Sequence, residues 1–236
     1  MDIPPTSEMR FPALACDYDG TLAADGRVDA ATLAALQRVR ESGRGLVLVT
    51  GRQIDDLLAA FPGAAVFDRI VGENGATLHR PATGATALLA APVDRGFVAA
   101  LRARGVAPLS VGRTVVATLE PQRGAVLETI RALGLGLAVT LNKGAVMALP
   151  AGIDKATGLR AALGELGLSP GSAVAIGDGE NDLPFLDCCG CAVAVGNALP
   201  ALKERADYVT HADDGAGVAE LVALLVDDDL TAICGR

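Results

Sequence analysis

The chain has 236 residues, of which 51% are hydrophobic and 3% aromatic, and its formal net charge is −8. This length and composition predict one large folded domain or a core domain with an insert, and they argue against disorder. The acidic charge and the lack of tryptophan argue against a nucleic-acid partner. Residues 1–12 do not look like a signal peptide and no run is long enough for a transmembrane helix, so we expect a cytoplasmic protein without a membrane partner.

The segment up to residue 76 alternates strand and helix patterns. In chain order the patterns predict strand 13–18, helix 29–42, strand 46–49, helix 53–60 and strand 66–71. The strands are continuous apolar runs, which is typical of a parallel sheet that is buried on both faces. The segment therefore predicts the first half of a doubly wound α/β sheet.

The same alternation returns in the segment 150–236. Its patterns predict helix 155–167, strand 173–176, helix 180–188, strand 192–195, helix 199–205, strand 207–210 and a last helix from about 215 to 226. Together, 1–76 and 150–236 predict one α/β core with a parallel sheet.

Residues 77–149 follow a different order, which indicates an inserted α+β domain. The patterns predict strands 77–80, 106–111, 114–119, 137–141 and 145–149, with helices 94–104 and 122–133. Glycine turns between the apolar runs favour antiparallel strand pairs. The glycine-containing segments at 75–76 and 150–152 suit hinges at the two ends of the insert.

The five cysteines do not indicate a metal site. Cys188, Cys189 and Cys191 form a cluster, but no histidine or second cysteine pair lies near them in the sequence, and a zinc site needs four ligands. Cys16 lies in a predicted strand and suits a small buried side chain. We therefore expect reduced, partly buried thiols.

Acidic residues follow two of the predicted core strands. Asp17 and Asp19 come at the end of the first strand, and Asp178 and Asp182 follow the strand 173–176. Loops after parallel strands meet at one edge of the sheet, so these acids can converge there. Carboxylate oxygens suit Mg²⁺, an aspartate such as Asp17 can act as a nucleophile, and Asp19 can donate and accept a proton.

Three further groups suit a phosphate ion. The Thr50 hydroxyl and the Gly51 amide lie between a strand and a helix, and Lys155 opens the helix after the insert. Taken singly, each of these residues, like the Asp-x-Asp-Gly turn, is explained equally well by local structure or solvation. Their common placement at strand ends favours phosphoryl transfer.

These motifs, in this order, resemble those of the haloacid dehalogenase (HAD) superfamily. The segment Asp17-Tyr18-Asp19-Gly20-Thr21 looks like its nucleophile motif, and Thr50-Gly51-Arg52 is similar to the second motif of its Cof-type branch. Lys155 stands where the third-motif lysine is expected, and residues 177–182 resemble the acidic fourth motif. The resemblance implies a Rossmann-like core, 1–76 with 150–236, and a cap of type IIB at 77–149.

The resemblance also implies a role for each matching residue. Asp17 would be the nucleophile and a Mg²⁺ ligand, and Asp19 the general acid and base, with its backbone carbonyl on the metal. Asp178 would bind Mg²⁺, and Asp182 would either bind it directly or hold the ligands in place. The residues that would bind the phosphate are Thr50, Gly51, Lys155 and Asn181.

The expected activity is Mg²⁺-dependent hydrolysis of a phosphomonoester of a small metabolite through an aspartyl-phosphate. A sugar phosphate, phosphoglycolate or a phosphoglycerate-like compound is the expected substrate, and the protein would be a monomer or homodimer. Arg113, Asn142 and Lys143 lie at predicted turns of the cap and are candidates for choosing the substrate, although ordinary exposed loops explain them as well. A phosphomutase of the phosphomannomutase type and a phospho-acceptor signalling module remain alternatives.

Overall fold

The computed structural model of the protein describes residues 9–234, so most of the segment considered for a signal peptide lies outside it. Its strands are β1 Ala13–Asp17, β2 Gly45–Val49, β3 Arg69–Gly72, β4 Thr77–Arg80, β5 Ala85–Leu88, β6 Ser110–Val111, β7 Val116–Leu119, β8 Leu137–Asn142, β9 Ala145–Pro150, β10 Ala173–Gly177, β11 Cys191–Ala194 and β12 Tyr208–Val209. Its helices are α1 Ala30–Glu41, α2 Ile54–Ala60, α3 Arg95–Ala103, α4 Arg123–Leu133, α5 Lys155–Glu165, α6 Leu183–Cys188, α7 Pro200–Lys203 and α8 Asp214–Asp228. Across the described range, no helix combines the length and apolarity needed to cross a bilayer.

The larger sheet has eight strands in the order β12-β11-β10-β1-β2-β3-β4-β5. The six strands from β12 to β3 are parallel, and β1 lies between β10 and β2. Every residue of β1 is buried, so both faces of the sheet are covered. The helix pairs α1–α8 and α5–α6 supply the cover. The predicted α/β class with a parallel core sheet is confirmed.

The start of α5 determines where Lys155 lies. The Asp154 side chain accepts a hydrogen bond of 2.7 Å from the Thr157 backbone N–H, which is the usual arrangement at a helix N-terminus. The helix therefore begins at Lys155, directly after the insert returns to the core. The sequence prediction of a helix opening at this residue is confirmed.

The strand predicted at 77–80 forms as β4, but it extends the large sheet instead of joining the insert. It pairs antiparallel with β3 and with β5, a strand that the sequence patterns missed. The chain reverses within residues 73–75, where Glu73 and Asn74 adopt φ values of 49° and 53°, and β4 therefore returns alongside β3. β5 has only four residues and none of them is buried, so it gives neither a long apolar run nor a clear alternation that would indicate a strand.

The other elements of the insert form a smaller unit around its own core. Its antiparallel sheet has the order β6-β7-β9-β8, and α3 and α4 pack together with it. Phe97, Leu101 and Val146 are fully buried in this unit. The strand predicted at 106–111 shortens to β6, because Pro108 has no N–H to donate to a ladder.

The expectation of reduced thiols is wrong for two cysteines. Cys191 in β11 and Cys234 near the C-terminus form a disulfide. They are 43 residues apart, and their proximity depends on how the chain returns to β11 after α8, which the sequence patterns do not reveal. Cys16, Cys188 and Cys189 are free.

Candidate active site

Three carboxylates meet at the carboxyl edge of the large sheet. Asp17 ends β1, while Asp178 and Asp182 follow β10, the strand that pairs directly with β1. One oxygen of each carboxylate lies within 4.8 Å of the others, and all three side chains are buried. The structure thus brings these predicted residues together. We call them the acidic cluster.

Lys155 lies between two of these acids and is itself buried. Its Nζ donates a hydrogen bond of 2.5 Å to Asp17 Oδ1 and a second one to Asp182 Oδ1. Burial raises the pKa of Asp17 well above its usual range, the charge of Asp182 adds to the rise, and Lys155 opposes it. Burial alone would lower the pKa of Lys155, but the two carboxylates outweigh it and hold the pKa above its usual range. Lys155 is therefore charged.

Asp182 serves mainly to order its own loop. Its Oδ2 accepts hydrogen bonds of 2.9 Å from the backbone N–H groups of Asp178 and Gly179, and its Oδ1 accepts from Lys155. Its donors are backbone groups and the buried Lys155. Asp178 also accepts from protein donors, Thr21 Oγ1 at 3.3 Å and Lys143 Nζ, but the Lys143 side chain is 40% exposed and can leave more easily. Asp178 and Asp17 are therefore more readily available to a cation, and Asp182 supports the loop that carries Asp178.

The residues around the acidic cluster fit a hard divalent cation. The donor set consists of carboxylate oxygens, which Mg²⁺ prefers. Gly20 has φ 82°, and a Cβ there would lie 3.1 Å from Asp178 Cγ, so a glycine keeps the space beside this acid open. Within the described chain, the buried Oδ1 atom of Asn181 has no hydrogen-bond partner, which leaves a polar oxygen available at the site.

Asp19 lies apart from the acidic cluster. Its carboxylate accepts hydrogen bonds from Arg52 Nε at 2.8 Å and Arg52 Nη2 at 2.6 Å, and its side chain is 46% exposed. The Arg52 guanidinium also lies over the Tyr18 ring, 4.9 Å from its centroid. Sequence reasoning gave Arg52 no role, although it stands within the Thr50-Gly51-Arg52 motif. It orients the predicted acid and base at the rim of the site.

Thr50 and Gly51 lie next to Asp17, which pairs in register with Val49. The Thr50 carbonyl accepts a hydrogen bond of 3.1 Å from the Asn74 backbone N–H. The side chain of Asn74 accepts a hydrogen bond of 2.8 Å from Asn181 Nδ2. Asn74 therefore links the loop after β2 to the loop after β10, a role that the sequence did not reveal.

One of the three predicted cap residues contacts the acidic cluster and a second lies beside its loop. Lys143 Nζ donates to Asp178 Oδ2, and a Cβ at Gly179 would collide with Asn142 Oδ1. Arg113 instead places its half-exposed guanidinium 3.5 Å from Asp55 Oδ2. The structure does not bring Arg113 into contact with the clustered acids.

Glu73 connects the core to the insert. Its buried carboxylate accepts hydrogen bonds from the backbone N–H groups of Arg113, Thr114 and Val115 at 3.2, 2.8 and 3.0 Å, and one from Thr114 Oγ1 at 2.8 Å. Sequence reasoning gave Glu73 no role, although it lies just before the predicted hinge at 75–76. Its partners lie at least 40 residues away along the chain, so no local pattern indicates them.

A cavity of about 210 Å³ lies between the loop after β2 and the insert. Its walls are formed by Gly51, Arg52, Gln53, Asp56 and Glu73 of the core and by Ser110, Gly112, Val115 and Ala117 of the insert. A hydrogen bond of 3.2 Å from Gln53 Nε2 to Ser110 Oγ crosses between the two sides. The cavity has room for a small organic group.

Comparison with known proteins identifies the family. Residues 14–98 and 127–222 match the haloacid dehalogenase-like hydrolases. The chain belongs to this family. The matched segments include every residue of the acidic cluster, whereas the unmatched residues 99–126 lie in the insert. The HAD hydrolases therefore share with this chain the part of the molecule that carries the acids.

Two similar relatives of this HAD hydrolase are phosphoglycolate phosphatases. The protein of Methanothermobacter thermautotrophicus is 30% identical over 223 residues, which cover 89% of this chain and 96% of the relative. The protein of Halorubrum lacusprofundi is 34% identical over 223 residues, which cover 88% of this chain and 95% of the relative.

Solved structures with the same fold are HAD hydrolases as well. A haloacid dehalogenase-like hydrolase from Bacteroides thetaiotaomicron has a TM-score of 0.77 at 21% identity and covers 91% of this chain and 99% of its own. A HAD subclass IIB sugar phosphatase has a TM-score of 0.74 at 20% identity, covering 89% of this chain and 97% of its own. The predicted membership of the HAD superfamily is confirmed.

Proposed function

We propose that this HAD hydrolase is a Mg²⁺-dependent phosphatase that hydrolyses the phosphomonoester of a small anionic metabolite of the phosphoglycolate type. The observation that carries the proposal is the buried arrangement of Asp17 between Lys155 and Asp178. It combines a carboxylate nucleophile, a buried positive charge and a site for a hard cation within one small volume. These are the elements that phosphoryl transfer requires.

The first step forms a bond between an Asp17 oxygen and the phosphorus atom and breaks the bond from phosphorus to the ester oxygen. Asp17 Oδ1 is held by Lys155, whereas Oδ2 has no hydrogen-bond partner in the described part of the protein, so Oδ2 suits the attack. Asp19 gives its proton to the departing ester oxygen, which leaves as an alcohol. Arg52 holds the Asp19 side chain in place and stabilises the carboxylate that this transfer leaves.

The second step releases the phosphate from Asp17. Asp19, now a carboxylate, takes a proton from a water molecule that attacks the phosphorus atom, and the bond between phosphorus and Asp17 breaks. Inorganic phosphate leaves and both aspartates return to their starting states. Thr50, Gly51 and Lys155 would bind the phosphate oxygens. This is supported by the contact of Lys155 with Asp17 and by the pairing of Asp17 with Val49, the residue before Thr50.

Asp17 and Asp178 would hold the Mg²⁺ ion, which when bound offsets the repulsion between the phosphate dianion and the Asp17 carboxylate. That repulsion is roughly 4 kcal/mol for each pair of unit charges at about 4 Å and an effective dielectric constant of about 20. When Lys143 is not paired with Asp178, Lys155 supplies the single positive charge against the three clustered carboxylates. A divalent cation would therefore also balance the charge of the cluster itself.

A small anionic substrate is supported by the cationic side chains of the site and by the relatives of the chain. The cavity of about 210 Å³ beside Gly51 gives room for a small organic group next to the phosphate site. Arg52, which pairs with Asp19, and Lys143, which pairs with Asp178, are cationic side chains that an anionic group of the substrate would contact. The relatives named phosphoglycolate phosphatases, at 30% and 34% identity, support the same substrate class.

Phosphate release from a panel of phosphomonoesters tests this proposal. We expect phosphoglycolate to give a higher kcat/KM than glucose 6-phosphate, excess EDTA to abolish turnover, and added Mg²⁺ to restore it. Full turnover in excess chelator would contradict the metal-dependent mechanism. An isomeric sugar phosphate formed without free phosphate would indicate a mutase, and a stable phosphoprotein without turnover would indicate a signalling module.

A further inference from the structure

The turn between β8 and β9 reaches from the insert into the acidic cluster. We call Asn142, Lys143 and Gly144 the hairpin tip. The Lys143 Nζ donates to Asp178 Oδ2, and the Lys143 backbone N–H donates to Glu180 Oε2 at 3.1 Å. The Asp178 side chain is almost completely buried, whereas that of Lys143 is 40% exposed. An exposed cap lysine therefore neutralises a buried core acid.

The conformation of the hairpin tip comes from its own turn, and docking leaves one polar atom unpaired. Lys143 has φ 46° and Gly144 has φ 84°, the left-handed values that both central residues of a two-residue hairpin turn require, so docking does not cause them. Among the described residues, the buried Asn142 Oδ1 has no hydrogen-bond partner. That cost would be relieved if the tip moved out of the site, and the ion pair between Lys143 and Asp178 offsets it while the tip is docked.

The Lys143 ammonium occupies the space where a cation bound to Asp178 would lie. A Cβ added to Gly20, the residue that leaves this space open, would be 2.8 Å from Lys143 Nζ. Asp178 Oδ2 cannot accept the ammonium and coordinate a divalent cation at the same time, because two positive charges at that separation repel strongly. Asp178 therefore binds either the Lys143 ammonium or the metal ion, but not both at once.

We infer that Lys143 is a built-in counter-ion of the metal-free enzyme, and that binding of a divalent cation expels it from Asp178 and undocks the hairpin tip. This inference rests on the proposed function in one respect, which is that Asp178 binds the cation. The exchange of Lys143 for the cation would couple metal binding to the position of the insert. Lys143, once released, is free to pair with the anionic group of the substrate.

Calorimetric titration of the full-length protein with Mg²⁺ tests the competition. We expect Lys143→Met to bind Mg²⁺ at least tenfold more tightly than the wild type, because the metal no longer displaces a bound ammonium. Lys143→Arg, which keeps the positive charge, should stay within threefold of the wild type. Arg131→Met removes a charge from an exposed position on α4 and controls for long-range electrostatics, so its affinity should change less than twofold.

The outcomes separate this inference from the proposed function. If the wild type and Asp178→Asn bind Mg²⁺ equally weakly, the proposed metal site itself is wrong. If Asp178→Asn abolishes binding but Lys143→Met binds no more tightly than the wild type, the metal site stands and the competition is refuted.

Hydrogen exchange gives a second readout that does not need a variant. The amides of residues 142–146 should exchange faster with saturating Mg²⁺, and unchanged or slower exchange would contradict the expulsion of the tip.

Discussion

Two lysines contact the acidic cluster, Lys155 from the core and Lys143 from the hairpin tip, and they differ in burial and in the number of carboxylates they bind. The Lys155 side chain is 1% exposed and bridges two buried carboxylates at the end of paired core strands. The Lys143 side chain is 40% exposed and reaches Asp178 from a turn of the insert. Removing one partner from a buried ion pair is far more costly than breaking an exposed one. The core is therefore organised before substrate binds, while the insert is free to exchange its contacts.

The largest expected effect comes from the nucleophile in the core. Asp17→Asn should lower kcat/KM for the best phosphomonoester by at least about 10³-fold, since an amide cannot form the covalent intermediate. Phosphate release measures the loss, and the circular dichroism spectrum should remain that of the folded wild type. Asp227→Asn, at a side chain 71% exposed on α8, is the matched control and should keep full activity. Residual activity within tenfold of the wild type would exclude Asp17 as the nucleophile.

The next effect concerns the stability of the core. Lys155→Met leaves the carboxylates of Asp17 and Asp182 buried without their counter-ion. We expect the free energy of unfolding to fall by about 3–5 kcal/mol, measured by urea denaturation. Arg38→Met breaks an exposed pair with Asp227 and should cost under about 1 kcal/mol. Equal losses in the two variants would show that Lys155 is not the ion that stabilises the cluster.

A substitution at Glu73 tests the contact between the core and the insert. Glu73→Gln keeps the shape of the side chain but removes the charge that accepts hydrogen bonds from Thr114 and Val115. We expect a loss of about 2 kcal/mol and faster hydrogen exchange of the amides at 113–115, while the exchange of β1 stays unchanged. Glu128→Gln, an exposed acid on α4, is the control. Unchanged exchange at 113–115 would show that this carboxylate does not hold the insert.

The smallest expected effect concerns substrate choice by the hairpin tip. Lys143→Met should raise KM for phosphoglycolate by about tenfold, because the variant loses a charge-assisted contact worth about 1.5 kcal/mol with the substrate carboxylate. The KM of a phosphomonoester with a neutral alcohol should change less than threefold. Steady-state kinetics with the two substrates measures the difference. A similar change in both KM values would mean that Lys143 does not recognise the anionic group.

The same comparison explains what the sequence could predict. Asp17 and Asp178 end long apolar strands, and parallel topology alone places the ends of neighbouring strands together. Lys155 is found in the same way, because it opens the helix that packs beside β2 and β3. The core therefore follows from local patterns and one topological rule.

No sequence pattern predicted the contacts between the core and the insert. Glu73 binds backbone amides of the insert, which every residue carries, so no sequence pattern distinguishes them. The extension of the large sheet by β4 depends on a tight reversal at 73–75 that looks like a loop in the sequence. Arg113 and Lys143 were equal candidates by position, and the orientation of the insert decides that Lys143 reaches the acids.

Direct detection of the covalent intermediate tests the central claim, that Asp17 is the nucleophile of a phosphatase site. The Asp19→Asn variant, incubated with Mg²⁺ and phosphoglycolate and quenched in acid, should accumulate one phosphoryl group on the peptide that contains Asp17, because the amide cannot activate the water that releases it. Mass spectrometry of the digested protein locates the group. A variant that still hydrolyses the substrate but carries no phosphoryl group on that peptide, or carries it on another residue, would contradict the account.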